Sequence, residues 1–401
     1  MKKIGILTTY YSENYGAALQ AYALQKALES MNCDVELIRY RNLHTTRYIL
    51  DAHKESIRQE PFFHMVKRRA KNLKVKLIGT GIRTEDRQVR KAAFDRFIAQ
   101  FLRCGKEQFS SPEEFKTFAA SSEAEYDLYI CGSDQVWNPQ VHYFDPVYLL
   151  DFQSRAKRVS YAPSIAVNKL SDAETKRLAV SVGKLDQISV REKDAVTLLS
   201  PHLPQKQVRL VADPTFLLNR DAWQCLASNT PLPQSYILVY MLEYNSFPKD
   251  AVRMINDYAR THHTQIICLP YTKIRFGRGI KAEMRYDVAP NDFIALLVNA
   301  KCVFTNSFHA TALSINNNKE FYVFLQSSEK INIQSRIHNL LETFHLQKRG
   351  IHSASDYYGN TQAIQYDEVN EKIEELRQDG FAYLKTCLDG CSCEGHDCRD
   401  E

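Results

Sequence analysis

The sequence predicts an α/β protein in which two Rossmann-like domains face each other across a cleft, and three observations predict it. The first forty residues read strand, loop, helix, strand. After a proline-marked break between Pro201 and Pro214 the same alternation starts again. Finally, around residues 301–315 a short apolar strand runs through polar residues into a helix of small residues, with His309 at the joint. Alternating strands and helices build parallel sheets with crossover helices, and ligands bind where such strands end.

The elements follow in order. An apolar strand over residues 3–10 leads through a polar bend (11–16) into an alanine-rich helix over 17–31 and a second strand over 34–40. Two helical stretches, 61–77 and 83–102, flank Gly79-Thr80-Gly81 and read as a basic insertion over about residues 44–103 rather than as sheet. Ser111-Pro112-Glu113-Glu114 joins a cap residue, a first-turn proline and acids, which together start a helix. A strand over 126–131 enters the loop Gly132-Ser133-Asp134-Gln135-Val136-Trp137-Asn138. A strand over 157–162, a capping box from Ser171 to Glu174 and a strand over 187–190 follow. Beyond the break come strands over 236–241, 265–269, 301–305 and 321–324, alternating with helices over 248–262, 291–299 and 310–315. The expected division is a first domain over residues 1–210, a second over 211–350, and a C-terminal helix with a cysteine-rich tail over 351–401.

Composition excludes several classes. Of 401 residues, 44% are hydrophobic and 25% charged, the balance of a globular chain rather than a disordered one. The start Met1-Lys2-Lys3 is basic, but the apolar run after it is too short for a signal peptide. No window approaches the roughly 18 apolar residues of a membrane helix, so a cytoplasmic location is expected, at most peripheral at the inner membrane face. Six of the ten cysteines stand singly, several in apolar runs, as reduced interior thiols do. Charge is uneven: residues 47–96 hold fourteen basic and six acidic residues, 14 − 6 = +8, against +5 for the whole chain. Such a field attracts phosphates, acidic glycans or an anionic membrane surface, or is simply a solvated helical face.

Several segments carry chemistry. Asn14-Tyr15-Gly16-Ala17 opens the first helix, where backbone N–H groups and a residue without a side chain admit a phosphate or carboxylate. It is neither a dinucleotide fingerprint nor a P-loop, so NAD and ATP find no support. In the loop after the strand over 126–131, Asp134 and Gln135 suit sugar hydroxyls and Trp137 suits a sugar's apolar face; packing and helix capping suit them equally. Arg191 and Glu192 end a strand, where an arginine clamps an anion or pairs with its neighbour. His309, at its joint, is placed to move a proton near neutral pH or to serve as a structural residue. Cys387, Cys391, Cys393 and Cys398 with His396 crowd the tail, but gaps of three, one and four residues are irregular for zinc, and no metal site is assigned.

Together these segments resemble the polysaccharide pyruvyl transferase family. The matching pieces are Asn14-Tyr15-Gly16-Ala17 with Gln20 and Ala21, Cys131 through Asn138, Ser160-Tyr161-Ala162-Pro163-Ser164, Ser189-Val190-Arg191-Glu192-Lys193, Asp213-Pro214-Thr215, and Thr305-Asn306-Ser307-Phe308-His309-Ala310-Thr311-Ala312, spanning about residues 1–345. The resemblance implies a B-type glycosyltransferase-like architecture and transfer of an enolpyruvyl unit from phosphoenolpyruvate to a sugar diol. The product it implies is a pyruvate ketal on a bacterial surface polysaccharide or its lipid-linked precursor. His309 falls in the family's active-site histidine motif. Where some branches carry an arginine two residues earlier this chain has Ser307, and Ala310 replaces a common glycine.

On that basis the expected catalytic residues are His309, Arg191 and Glu192. Asn14, Tyr15, Gly16, Asp134, Gln135, Trp137, Asn306 and Ser307 are expected at the substrate. The expected partners are phosphoenolpyruvate, as donor and not as a bound cofactor, and a glycan or lipid-linked acceptor, with peripheral membrane contact through the basic stretch and no nucleic acid. Two rivals stand beside this reading: a nucleotide-sugar glycosyltransferase of the same architecture, and a metal- or redox-linked module using the cysteine tail.

Overall fold

The computed structural model describes residues 1–42, 83–167, 169–242, 250–270, 282–325, 335–360 and 362–389. Two parallel sheets organise them. The first runs β3-β2-β1-β4-β5, from β1 (Lys2–Leu7), β2 (Cys33–Tyr40), β3 (Cys104–Phe109), β4 (Leu128–Cys131) and β5 (Lys157–Ser160). Beyond its edge, β6 (Ile188–Val190) and β7 (Val208–Leu210) form a parallel pair. A bridge from Val159 to Gln187 joins that pair to β5. Hydroxyls reinforce the seam, since Ser160 Oγ donates to the Ser189 carbonyl at 2.8 Å and Ser189 Oγ donates to the Ser160 carbonyl at 2.8 Å.

The second sheet runs β10-β9-β8-β11-β12-β13, from β8 (Tyr236–Met241), β9 (Gln265–Pro270), β10 (Ala282–Met284), β11 (Cys302–Thr305), β12 (Phe321–Phe324) and β13 (Gly350–Ile351). Read by order of appearance, both sheets follow the arrangement 3-2-1-4-5, so the chain direction of growth reverses between β1 and β4 in one and between β8 and β11 in the other. Strands β4, β8, β11 and β12 are buried along their whole length, as strands covered on both faces by crossover helices must be. Open parallel sheets form a ligand crevice at the C-terminal ends of the strands where the order reverses, which here are the ends of β1 and β4 in the first sheet and of β8 and β11 in the second.

One expectation is corrected here. The helix Thr84–Phe101 is not part of an insertion: it is the crossover between β2 and β3, and β3 completes the sheet edge. The polar sequence of β3, Cys-Gly-Lys-Glu-Gln-Phe, hid it, because an edge strand with three exposed residues shows no hydrophobic run. Its Arg90, counted in the basic stretch, is buried and donates to the Pro270 carbonyl. Residues 43–82, which hold most of the basic excess, lie outside the described residues.

Aromatic packing joins the two sheets. Tyr15, first residue of the helix Tyr15–Ser30, stacks on Phe293 with centroids 4.6 Å apart and meets Phe94 and Tyr240. Its hydroxyl donates to the Val288 carbonyl at 3.0 Å. The helix Tyr366–Asp389 returns to the first sheet, where Tyr383 donates to the Ser160 carbonyl at 2.9 Å and Asp379 pairs with Arg209 at 2.7 Å. Removing the Tyr15 ring should therefore cost far more than removing its hydroxyl. Tyr15→Phe should destabilise by about 1 kcal/mol, the net worth of one hydrogen bond, and Tyr15→Ala by about 3–5 kcal/mol, the usual cost of deleting a buried aromatic. Urea unfolding midpoints check the ranking.

Candidate active site

The two crevices meet at His309. The helix Phe308–Asn316 begins directly after β11, capped by Ser307, whose hydroxyl accepts from the Ala310 amide at 3.4 Å. His309 thus sits in its first turn, 5% exposed. Gly16, in the first turn of the helix after β1, lies flat against the imidazole: a Cβ built there would fall 2.2 Å from His309 Nδ1 and 2.6 Å from its Cβ. Glycine is needed here for close approach across the two sheets rather than for a turn. Gln20 holds the loop that presents Gly16, donating to Thr8 Oγ1 at 2.9 Å and the Ala17 carbonyl at 3.0 Å.

Behind the imidazole is a buried ion cluster. Asp213 Oδ2 lies 3.4 Å from His309 Nε2 and accepts from Arg191 Nη1 at 2.6 Å. Arg191 Nη1 is 3.5 Å from His309 Nε2, and its Nε donates to Glu192 Oε1 at 3.2 Å. The other Asp213 oxygen accepts from the Thr215 amide and hydroxyl at 3.0 and 2.9 Å. Ser133 Oγ completes the cluster, 2.7 Å from the Ala162 carbonyl and 3.1 Å from Asp213 Oδ2, while accepting from Arg191 Nη1 at 3.3 Å. Phe308 floors it, with the Arg191 guanidinium 4.2 Å from the ring centroid. Arg191 Nη2 and Glu192 Oε2 are buried and have no hydrogen-bond partner among the described residues.

The electrostatics follow from that contact set. Burial alone would raise the Asp213 carboxyl, but His309, Arg191 and the Thr215 amide overcome it and hold it well below the usual carboxylate range. Burial works equally against the charge of Arg191, and the carboxylates of Glu192, Asp213 and Asp134 more than restore it. Asp134 adds local strain. With φ 72° and ψ −173° it occupies a region almost reserved for glycine, at a typical cost of about 1–3 kcal/mol. It is held there as its carbonyl accepts from the Ser164 amide at 2.8 Å and its carboxylate from Thr9 Oγ1 at 3.2 Å.

The expected site residues separate into two groups. His309, Arg191, Glu192 and Gly16 are brought together, with Asp134 on their rim. Others are engaged by the fold. Asn14 caps the helix Tyr15–Ser30, accepting from the Gly16 amide at 2.9 Å. Asn306 accepts from the Leu242 amide at 2.8 Å, Gln135 accepts from Asn138 at 2.9 Å, and the Ser307 hydroxyl is its helix cap. Two assignments are corrected. Trp137 is 2% exposed with its indole N–H donating to the Tyr148 carbonyl at 3.1 Å, so it offers no face to a sugar. Tyr15 is locked in the stack between the sheets and is likewise no ligand contact. Asp213 and Ser133 were not expected as site residues. Asp213 follows a three-residue strand too short to show periodicity, and Asp-Pro there reads as a junction between domains.

Fold and site together define a class: a two-domain α/β protein of B-type glycosyltransferase-like architecture, with a buried histidine, aspartate and arginine where its two crevices meet. Similar solved structures include the S. aureus MnaA–UDP co-structure, with TM-score 0.51 and 12% identity over 97% of this chain and 97% of that one. A putative UDP-N-acetylglucosamine 2-epimerase from Listeria monocytogenes gives TM-score 0.51 and 9% identity over 97% and 98%. Likeness at such identity shows the fold alone. Residues 14–328 match the family model for polysaccharide pyruvyl transferase, and the chain belongs to that family. Its activity is accordingly of the pyruvyl-transfer class, on polysaccharide. No curated protein sequence matches the chain. Among the described residues no helix is long and apolar enough to cross a membrane, and no group of three His, Cys, Asp or Glu side chains could hold a metal ion. The tail residues Cys391, Cys393, His396 and Cys398 lie outside the described residues.

Two predictions test this geometry. Gly16→Ala must displace the imidazole; although alanine favours the helix by about 1 kcal/mol, turnover should fall about 100-fold, as for an ångström-scale misplacement, with helix content by circular dichroism unchanged. Asp213→Asn should flatten the acid limb of stability. The folded carboxyl is depressed, so its contribution is present above the unfolded value, about 3.9, and is lost as pH falls through the folded one. Wild-type unfolding midpoints should therefore drop more steeply below about pH 4 than those of the variant.

Proposed function

We propose that the protein transfers the enolpyruvyl group of phosphoenolpyruvate to two hydroxyls of one sugar in a bacterial surface polysaccharide or its precursor, forming a pyruvate ketal and releasing inorganic phosphate. One sugar hydroxyl adds to C2 of the enol while C3 takes a proton and becomes a methyl group. The bond from C2 to the phosphate oxygen breaks, and the second hydroxyl closes the ketal at C2. One hydroxyl proton is balanced by the methyl group and the other leaves on phosphate, so the reaction needs no oxidant or reductant.

The observation that carries this reading is the meeting of His309, Arg191 and Asp213 where both crevices open. The reaction needs one group able to give and take protons near neutral pH, and an imidazole does so. Asp213 orients that imidazole, the task of a carboxylate beside a catalytic histidine. Arg191 Nη2 is a buried donor available to an anionic donor substrate, and Glu192 Oε2 is a buried acceptor available to a sugar hydroxyl. Asp134, half-buried on the rim, is the second carboxylate able to hold the acceptor.

The test is phosphate release from phosphoenolpyruvate with galactosyl, glucosyl and mannosyl acceptors, and detection of the ketal by mass spectrometry. His309→Gln should lower turnover by about 10²–10⁴-fold, the range for loss of a general acid–base group. Near-wild-type turnover in that variant would remove His309 from the mechanism. Turnover of UDP- or GDP-sugars in place of phosphoenolpyruvate would replace the whole reading with glycosyl transfer.

A further inference from the structure

A cavity of about 390 Å³ lies beside the buried cluster, within the size range of small-ligand sites. Arg191 and Asp213 line it and also approach His309 Nε2, at 3.5 and 3.4 Å, so they form a wall shared by the cavity and the imidazole. His309 itself is not among the described residues that line it. Arg336 lines it too, and Glu192, Asp134 and Asp213 all act on the charge of that guanidinium. Two other polar groups of the lining stand apart. Glu192 Oε2, at the end of β6, is a buried acceptor, and Asn339 Nδ2, in the helix Ser335–Thr343, is a buried donor. Neither has a hydrogen-bond partner among the described residues. The terminal torsions of such side chains are broad, so both groups can turn toward a ligand at little cost. Phe216 and Phe344, buried rings with centroids 5.4 Å apart, line the same cavity.

We infer that this cavity is a subsite for the sugar unit next to the one that reacts, in which Asn339 donates to a hydroxyl of that unit and Glu192 accepts from another. The occupant follows from the chemistry of the lining. A donor amide and an acceptor-only carboxylate together require a ligand that both accepts and donates, as adjacent sugar hydroxyls do, whereas an anion would be repelled at Glu192. The paired phenylalanine rings suit the apolar face of the same sugar, since ligand pockets join aromatic walls to a few placed polar groups. A polysaccharide brings a neighbouring unit with every reacting one, and the family to which the chain belongs acts on polysaccharide. The placement of the reacting unit at His309 rests on the function proposed above. Arg191 and Asp213 then separate that unit from the cavity and leave the cavity to its neighbour.

Calorimetry on the full-length protein tests this with methyl galactoside, methyl glucoside and methyl mannoside, and with tetrasaccharides of the same three sugars. At least one tetrasaccharide should bind tenfold or more tightly than its methyl glycoside. Asn339→Leu, which keeps the branched shape without the amide, should remove about tenfold of that advantage. The melting temperature of the variant should hold or rise, because the amide it loses has no partner in the folded chain. A purely structural amide gives the opposite pair, a lower melting temperature with the advantage intact, and that result overturns the subsite. So does the lack of any tetrasaccharide advantage in the wild type, or a weakening of phosphoenolpyruvate in place of the sugar. Phosphate release from phosphoenolpyruvate is followed in the same samples. Tetrasaccharide binding through Asn339 without any release keeps the saccharide site and removes the proposed reaction, while release with no effect of Asn339 does the reverse. Should Asn339→Leu prove unfolded by circular dichroism, Asn339→Ala is read by the same ratio, and an unchanged ratio there overturns the subsite.

Discussion

Asp213 is the point on which the rest of the site depends. Its carboxylate is buried, charged and shared among a histidine from the second sheet, an arginine from the first and a backbone turn of its own. A buried charge of this kind is tolerable only while every partner is in place, and removing one typically costs about 3–5 kcal/mol. The cluster therefore fixes more than a local geometry. It couples the position of the helix bearing His309 to the end of β6, and so couples one sheet to the other.

That coupling needs the two sheets to be held at a constant separation, and uncharged contacts provide it. Tyr15 stacks on Phe293 at one side of the crevice, while Gly16 in the next position touches the imidazole with its backbone. Two successive residues thus perform opposite tasks: the large ring sets the spacing and the absent side chain permits contact. Gln20, one helical turn on, secures the loop before them. The strain at Asp134 belongs to the same arrangement, because the hydrogen bonds of Thr9 and Ser164 hold a conformation that the residue alone would leave.

Much of this was legible in the sequence, for reasons of pattern. Buried central strands such as Tyr236–Met241 and Cys302–Thr305 are continuous apolar runs, and the capping box at Ser171 announces its helix. His309, Arg191 and Gly16 were found because they stand where a strand turns into a helix. What escaped was short or context-dependent. β3 is a polar edge, β7 and β10 are three residues each, and none carries a period long enough to recognise. Trp137 and Asp213 exchanged roles for a related reason. A tryptophan in a polar loop suggests a stacking surface, and an aspartate before proline suggests a turn; only the fold decides which of them reaches the ligand crevice.

The return of the helix Tyr366–Asp389 to the first sheet has a consequence for how the chain is made. Lys2 donates to the carbonyl of Leu388, and Tyr383 closes on Ser160 at the β5–β6 seam. The sheet that leaves the ribosome first is therefore covered last. Until then the surface over the β5–β6 seam is uncovered, and surface exposed in that way associates with other unfinished chains. The order of translation and the order of completion run in opposite directions, and the second sheet must fold while the first still waits for its final helix.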